Sequence, residues 1–223
     1  NFSCHPVFNR SNEISSDFVG TIINNLEMNG LHNSLFTQGF SGDVRPYSVS
    51  KNIFKNGLIG FLKILFNGPI FIHSSNNYFK KFCFVISQQI IIALNSKKST
   101  NVLFKNASFH LFKYELISST RYVRKEIIVK YHILGNLLFI SISAEVSSKY
   151  YLAIKNEFPN IEIIPMGLSD NLIGYLPYPS EVDEGGYEVT SAVNYGWDSI
   201  ISKNSIELFF TNLIRDIKTS IRE

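Results

Sequence analysis

Two cysteines, Cys4 and Cys83, are all that a chain of 223 residues contains. That is too few for a disulfide framework, and no cysteine-based zinc motif can be built from them. Charge is sparse too. Asp, Glu, Lys and Arg make up 17% of the chain and the formal net charge is only +3, which gives no basic surface for nucleic acid. A long apolar run is also missing. The most apolar stretch, Leu58 to Ile72, is broken by Lys63 and by Asn67-Gly68-Pro69, whereas a spanning helix needs ~20 apolar residues. It reads as core, and no transmembrane segment is expected. There is no repeat, no low-complexity linker and no His-Glu-x-x-His. No initiator Met, basic leader or signal-type apolar region precedes Asn1-Phe2-Ser3-Cys4-His5. The expectation is a processed chain or a piece of a longer one, with its compartment left open.

What the chain does have is apolar mass. Hydrophobic residues reach 45% and aromatics 14%, with 19 Phe and 11 Tyr, which excludes intrinsic disorder. A single domain of this length buries roughly 70% of the surface its unfolded chain exposes. Phe18, Ile22, Ile23 and Leu26 share one face of a helix predicted over residues 16–28. Ser15 or Ser16 can cap it, Asp17 suits its first turn, and Asn29-Gly30 ends it. Leu35 to Phe40 predicts a short strand running into Gly39-Phe40-Ser41-Gly42-Asp43, a glycine turn that lets the backbone approach a ligand closely. A second helix is predicted over residues 79–95. The period then changes. Val102 to Leu116, Ile127 to Tyr131 and Leu137 to Ile142 read as strands, with Gly135-Asn136 as a hairpin signal. Residues 145–157 read as a helix opened by Glu145, and Ile161 to Met166 as a buried strand. Residues 167–197 show no clear period. A loop that long is functional or disordered, and its tyrosines and tryptophan argue for order. Ser205 to Ile221 closes the chain as a helix with Leu208, Phe209, Leu213 and Ile217 inside. The order of elements predicts one mixed α/β domain with β-sheets packed against helices.

Few residues are placed to carry chemistry. Of His5, His32, His73, His110 and His132, the last two sit in strand-like segments and read as structural. His5 lies in Ser3-Cys4-His5-Pro6, a pre-proline segment that holds its backbone extended. Asp43 lies in the glycine turn. Glu145 follows the strand Leu137–Ile142, and the carboxyl end of a strand is where α/β domains bind ligands; a first-turn glutamate stabilised by the helix dipole is the plainer reading. Tyr175, Tyr178, Tyr187 and Tyr195 either pin the long loop to the core or act as ligands and proton donors.

Two stretches tie these residues together. Gln38-Gly39-Phe40-Ser41-Gly42-Asp43-Val44-Arg45-Pro46 resembles the Gly-Asp-x-x-Pro active-site turn of the neutral ceramidase family. Gly167-Leu168-Ser169-Asp170-Asn171-Leu172-Ile173-Gly174-Tyr175, followed by Glu184-Gly185-Gly186-Tyr187-Glu188, resembles its later signature, in which a tyrosine is followed twelve positions on by Tyr-Glu. Asn1-Phe2-Ser3-Cys4-His5-Pro6 resembles the upstream segment that carries a zinc-binding histidine. The order His, Gly-Asp turn, Glu, Tyr, Tyr-Glu matches throughout residues 1–200, with no anchor in 50–135.

The resemblance implies part of a neutral ceramidase catalytic domain, a zinc-dependent amide hydrolase acting on an N-acyl, lipid-like substrate. It implies Zn2+ held by His5, Glu145 and Tyr175. Tyr187 would hydrogen-bond the substrate carbonyl or oxyanion, Asp43 would orient the turn, and Arg45 would reach towards the cavity. The sequence departs from the family in three places. Its other zinc histidine belongs to a segment N-terminal to everything here, Arg45 stands where the family has Ser, and Ser143-Ala144-Glu145 replaces Pro-Gly-Glu. The family's C-terminal β-sandwich is absent as well. The expectation is therefore a fragment spanning 1–223 that binds zinc weakly by itself and can associate with a missing N-terminal part. A catalytically inactive ceramidase-like domain is the alternative.

Overall fold

The computed structural model describes residues 1–9, 13–46, 62, 75–96 and 107–222. The stretch Leu58 to Ile72, apart from Leu62, and His73 lie outside these. Among the described residues no helix is long and apolar enough to cross a membrane. The chain packs as two compact units. One comprises residues 6–35 and 45–99, the other residues 1–5, 36–44 and 100–223.

The first unit is helical. Helix α1 (Asp17–Met28) buries Phe18, Ile22 and Leu26, the predicted face. The Ser15 hydroxyl accepts the Asp17 N–H at 3.0 Å, and the Asp17 carboxylate accepts the Asn9 N–H at 2.6 Å and the Phe18 N–H at 2.7 Å, so Ser15 and Asp17 serve the helix start while Ser16 makes no side-chain cap bond. Helix α2 (Asn76–Asn95) begins three residues earlier than predicted because Ser75 accepts the Tyr78 N–H. Phe8, Phe18, Phe79 and Phe82 meet edge-on or tilted, with ring centroids 5.0–6.3 Å apart.

The second unit holds the sheet. Strands β1 (Ala107–Ile117), β2 (Arg124–Leu134) and β3 (Leu137–Ile142) form an antiparallel meander in which Gly135 takes φ +61° at the β2–β3 turn. A two-residue strand β4 (Glu145–Val146), helix α3 (Ser148–Glu157) and strand β5 (Glu162–Met166) follow. β5 lies parallel to β3, giving the order β1-β2-β3-β5. Strand β6 (Tyr175–Leu176) pairs in parallel with β4 alone. Short helices α4 (Pro179–Glu184) and α5 (Tyr187–Thr190) and a 3-10 turn (Ser191–Tyr195) lead to the long helix α6 (Lys203–Arg222). Alternation along β2 and β3 buries Ile127, Val129, Tyr131, Leu138, Ile140 and Ile142 completely, each contributing roughly 1.5–3 kcal/mol of burial. Phe209, Leu213 and Ile217 of α6 join the same core. His110 and His132 lie in strands, His110 bonded to Ser108 and Ser220 and the His132 ring tilted against Phe109 at 4.7 Å between centroids.

Three expectations need correcting. Leu35–Phe40 is not a strand: Gln38 forms one bridge to Phe2, held by the Phe2 N–H to Thr37 and the Gly39 N–H to Phe2, and the chain then turns so that the Gly42 N–H goes to Val146. Glu145 does not open a helix. It lies in β4, and α3 starts at Ser148, where Ser147 accepts the Lys149 N–H. Leu208 points outwards at 62% exposure, and Ile206 takes its place inside. The expected order of residues 167–197 is met: they form short elements, pinned where Trp197 Nε1 donates to the Ile173 carbonyl at 2.9 Å.

Candidate functional site

Strand pairing brings the first two residues together. In the β4–β6 register Glu145 faces Tyr175 directly, and neighbours across a parallel pair share a face. The two side chains thus lie on the same side of the pair. The extended N-terminal segment supplies His5. Phe2 bridges Gln38, and Gln38 Nε2 donates to the Cys4 carbonyl at 2.9 Å.

The Gly39–Asp43 turn closes the arrangement from below. A Cβ at Gly42 would stand 2.7 Å from the Glu145 carbonyl oxygen. Only glycine lets the turn donate its Gly42 N–H to Val146 at 2.7 Å. The Val44 carbonyl then accepts two bonds from His5, from the backbone N–H at 3.0 Å and from ring Nδ1 at 2.9 Å. A carbonyl can only accept, so Nδ1 carries a proton. The other ring nitrogen, Nε2, lies 3.0 Å from Glu145 Oε2. An ionised carboxylate also only accepts. Nε2 must therefore carry a second proton, making an imidazolium, or face a cation in that gap.

The remaining carboxylate oxygen, Oε1, accepts the Tyr195 hydroxyl at 2.7 Å. Tyr175 stacks beside His5 at 6.4 Å between ring centroids and meets Tyr187 and Tyr195 edge-on at 5.6 and 5.9 Å. The His5 and Glu145 side chains are only 19% and 11% exposed. The Glu145 bond raises the His5 pKa, against the opposing effect of burial. Burial works to raise that of Glu145, but the bonds from His5, Tyr195 and Tyr175 outweigh it and hold the carboxyl below its usual range. Burial, then the Glu145 charge, pushes the Tyr175 hydroxyl well above the ordinary phenol range. Burial and the Glu145 bond take Tyr195 up to about 12.

His5, Glu145, Tyr175 and Tyr187 thus stand together, Tyr187 being the outermost at 61% exposure. Asp43 sits at the edge of this group. Its carboxylate accepts the Ser148 N–H at 2.5 Å and the Ser148 hydroxyl at 2.7 Å, capping α3. Arg45 is exposed and belongs to the helical unit. Tyr195 was named in the sequence only among the loop tyrosines. No spacing there points to Glu145; its place comes from the 3-10 turn that ends at it.

As a donor set this cluster is chemically suited to zinc, which takes imidazole nitrogen and carboxylate oxygen, and the gap between Nε2 and Oε2 calls for positive charge. It is also small: among the described residues no three His, Cys, Asp or Glu side chains converge.

No family model matches the sequence, and no curated protein matches it. Solved structures do. The neutral ceramidase from Pseudomonas aeruginosa superposes with a TM-score of 0.61 at 10% identity, over 96% of this chain and 42% of that one. A ceramidase complexed with C2 gives 0.62 at 11%, over 99% and 45%. The class is therefore defined at the level of architecture: a mixed α/β fold of ceramidase type. The chain spans less than half the length of the structures it matches.

Proposed function

We propose that this chain carries part of the active site of a zinc-dependent amide hydrolase of the neutral ceramidase type, acting on an N-acyl, lipid-like substrate. The observation that supports this most is the His5–Glu145 pair. Nδ1 is committed to the Val44 carbonyl, so Nε2 and Oε2 face each other across a gap that needs a proton or a metal cation. His5, Glu145 and Tyr175 are the residues that would hold Zn2+. Bound there, the ion would supply Lewis acidity towards an amide carbonyl and would lower the pKa of water so that hydroxide is available near neutral pH. Tyr187 stands exposed beside Tyr175 as a hydroxyl donor towards the developing oxyanion. The fold is shared with solved ceramidase structures, which supports the reaction class.

Calorimetric titration with Zn2+ tests the reading. We expect one weak site per chain whose affinity rises with pH, since Tyr175 must lose its proton to coordinate well. Glu145→Gln should weaken it by about 10-fold or more. Zinc-dependent cleavage of a fluorogenic N-acyl amide is the second readout. Absence of zinc binding in the unmodified chain overturns the proposal. A second reading, a ceramidase-like domain without activity, draws on the small donor set and on Arg45 in the place of the family's Ser. It predicts zinc binding with no turnover.

A further inference from the structure

The geometry points to Tyr195 as a positioning residue for Glu145, a role in addition to those of the four residues proposed above to act at the site. A carboxylate has two oxygens and rotates about its last bond. Left alone, either oxygen of Glu145 could turn towards His5. Here the Tyr195 hydroxyl donates to Oε1 at 2.7 Å, and Oε2 is left to face Nε2 of His5 at 3.0 Å. The phenol thus decides which oxygen the imidazole meets and fixes the plane of the carboxylate.

Tyr195 is itself held firmly enough to act this way. Its ring lies against Gly174, where a Cβ would come within 2.8 Å of the ring Cγ and where φ is +108°. Gly174 in turn accepts the Glu145 N–H through its carbonyl at 2.9 Å. The same glycine therefore seats the ring of Tyr195 and the backbone of Glu145. On the other side the Lys125 ammonium donates to the Tyr195 carbonyl, and its Nζ stands 5.2 Å above the Trp197 ring. A phenol clamped at ring and backbone loses little freedom in making its bond, which is what precise placement of a ligating group requires.

The effect on metal affinity rests on the zinc reading above; the orientation of Glu145 does not. The test is Tyr195→Phe, which keeps the ring on Gly174 and removes only the hydroxyl. Trp197 fluorescence verifies that the variant folds. The direct readout is the long-range 1H–15N spectrum of the His5 imidazole in labelled chain. We expect the His5 signals to shift and the Nε2 proton to exchange with water at least ~10-fold faster in the variant, because Glu145 no longer holds one orientation. A ring that merely packs would leave these signals unchanged, and unchanged signals overturn the proposal. The second readout is Zn2+ titration, with affinity expected to fall by about 10–100-fold, the usual loss when a group orienting a metal ligand is removed. If the unmodified chain binds zinc and Tyr195→Phe binds it equally well, the positioning role is refuted. If the unmodified chain binds none, the zinc reading is refuted and the His5 spectrum decides the role of Tyr195 by itself.

Discussion

Replacing Gly42 by alanine isolates one steric contact on which the site depends. The added Cβ would lie 2.7 Å from the Glu145 carbonyl oxygen and 3.1 Å from both the carbon and the oxygen of the Val146 carbonyl. Close carbon–oxygen contacts begin at about 3.3 Å, so the shortest is roughly 0.6 Å too close. All three atoms are backbone, and no side chain can swing away. Gly42 does not have a positive φ, so left-handed strain adds nothing and the cost is overlap alone. Either β4 retreats or the turn does. Both lengthen the 2.7 Å bond from the Gly42 N–H to Val146. Overpacking of this kind costs about 1–3 kcal/mol. Trp197, the single tryptophan, is buried in the same unit and reports its unfolding. With a urea slope of roughly 2 kcal/mol per molar, a cost of about 2 kcal/mol lowers the midpoint by about 1 M. A midpoint within about 0.2 M of the unmodified chain would refute the close-approach argument.

Two further expectations concern the same neighbourhood. Because His5 has a folded pKa above its ordinary 6.5, its part of the ion pair stabilises fully below 6.5 and fades as pH rises through the raised value. Glu145, held below its ordinary 4.5, stabilises above 4.5 and loses this as pH falls through the depressed value. The stability gap between the unmodified chain and Glu145→Gln, followed by Trp197 fluorescence, should thus be widest between 4.5 and 6.5; an equal gap at about pH 9 would contradict the ion pair. Asp43→Ala removes both bonds to Ser148 and should cost about 1 kcal/mol, the usual loss of an N-terminal cap. Amide exchange in the first turn of α3 should quicken, and exchange that stays as slow would assign the cap to Ser147 alone.

The sequence made the sheet legible wherever burial imposed a period. The predicted bounds of β3, Leu137 to Ile142, coincide with the strand, because alternate residues there are wholly buried and a slip would expose them. The helices α1 and α6 were legible for the same reason at a period of 3.6. What failed was local chemistry deciding a boundary. The apolar character around residue 145 continued into α3, but Ser147 and Asp43 set the start of that helix three residues later, and Asp43 acts from 105 positions away in the chain. Leu208 was misplaced for a smaller reason: within an apolar Leu208-Phe209-Phe210 run, pattern alone cannot choose the inward residue. At the site, motif order pointed to His5, Glu145, Tyr175 and Tyr187. Tyr195 and the Val44 carbonyl were beyond its reach. A backbone oxygen has no residue type to read, and a tyrosine in an aperiodic loop has no fixed direction until the loop is folded.

The His5–Glu145 pair joins positions 140 apart, and its imidazole arrives on a segment fastened by the Phe2–Gln38 bridge, the Gln38 bond to the Cys4 carbonyl and the two His5 bonds to the Val44 carbonyl. Contacts closed over such a span reward the chain only after the sheet has formed. The cluster is thus expected to close after β1 to β3 have paired, and native-state hydrogen exchange would show whether it also opens apart from them. Opening there parts the imidazole from the carboxylate while β1 to β3 stay protected. A fully folded sheet can then carry a disassembled site, and the two states differ in occupancy by only the few bonds that fasten residues 1–5. Anything that binds across His5 and Glu145 adds one more fastener to a segment whose Phe2 N–H already reaches more than thirty positions along the chain to Thr37.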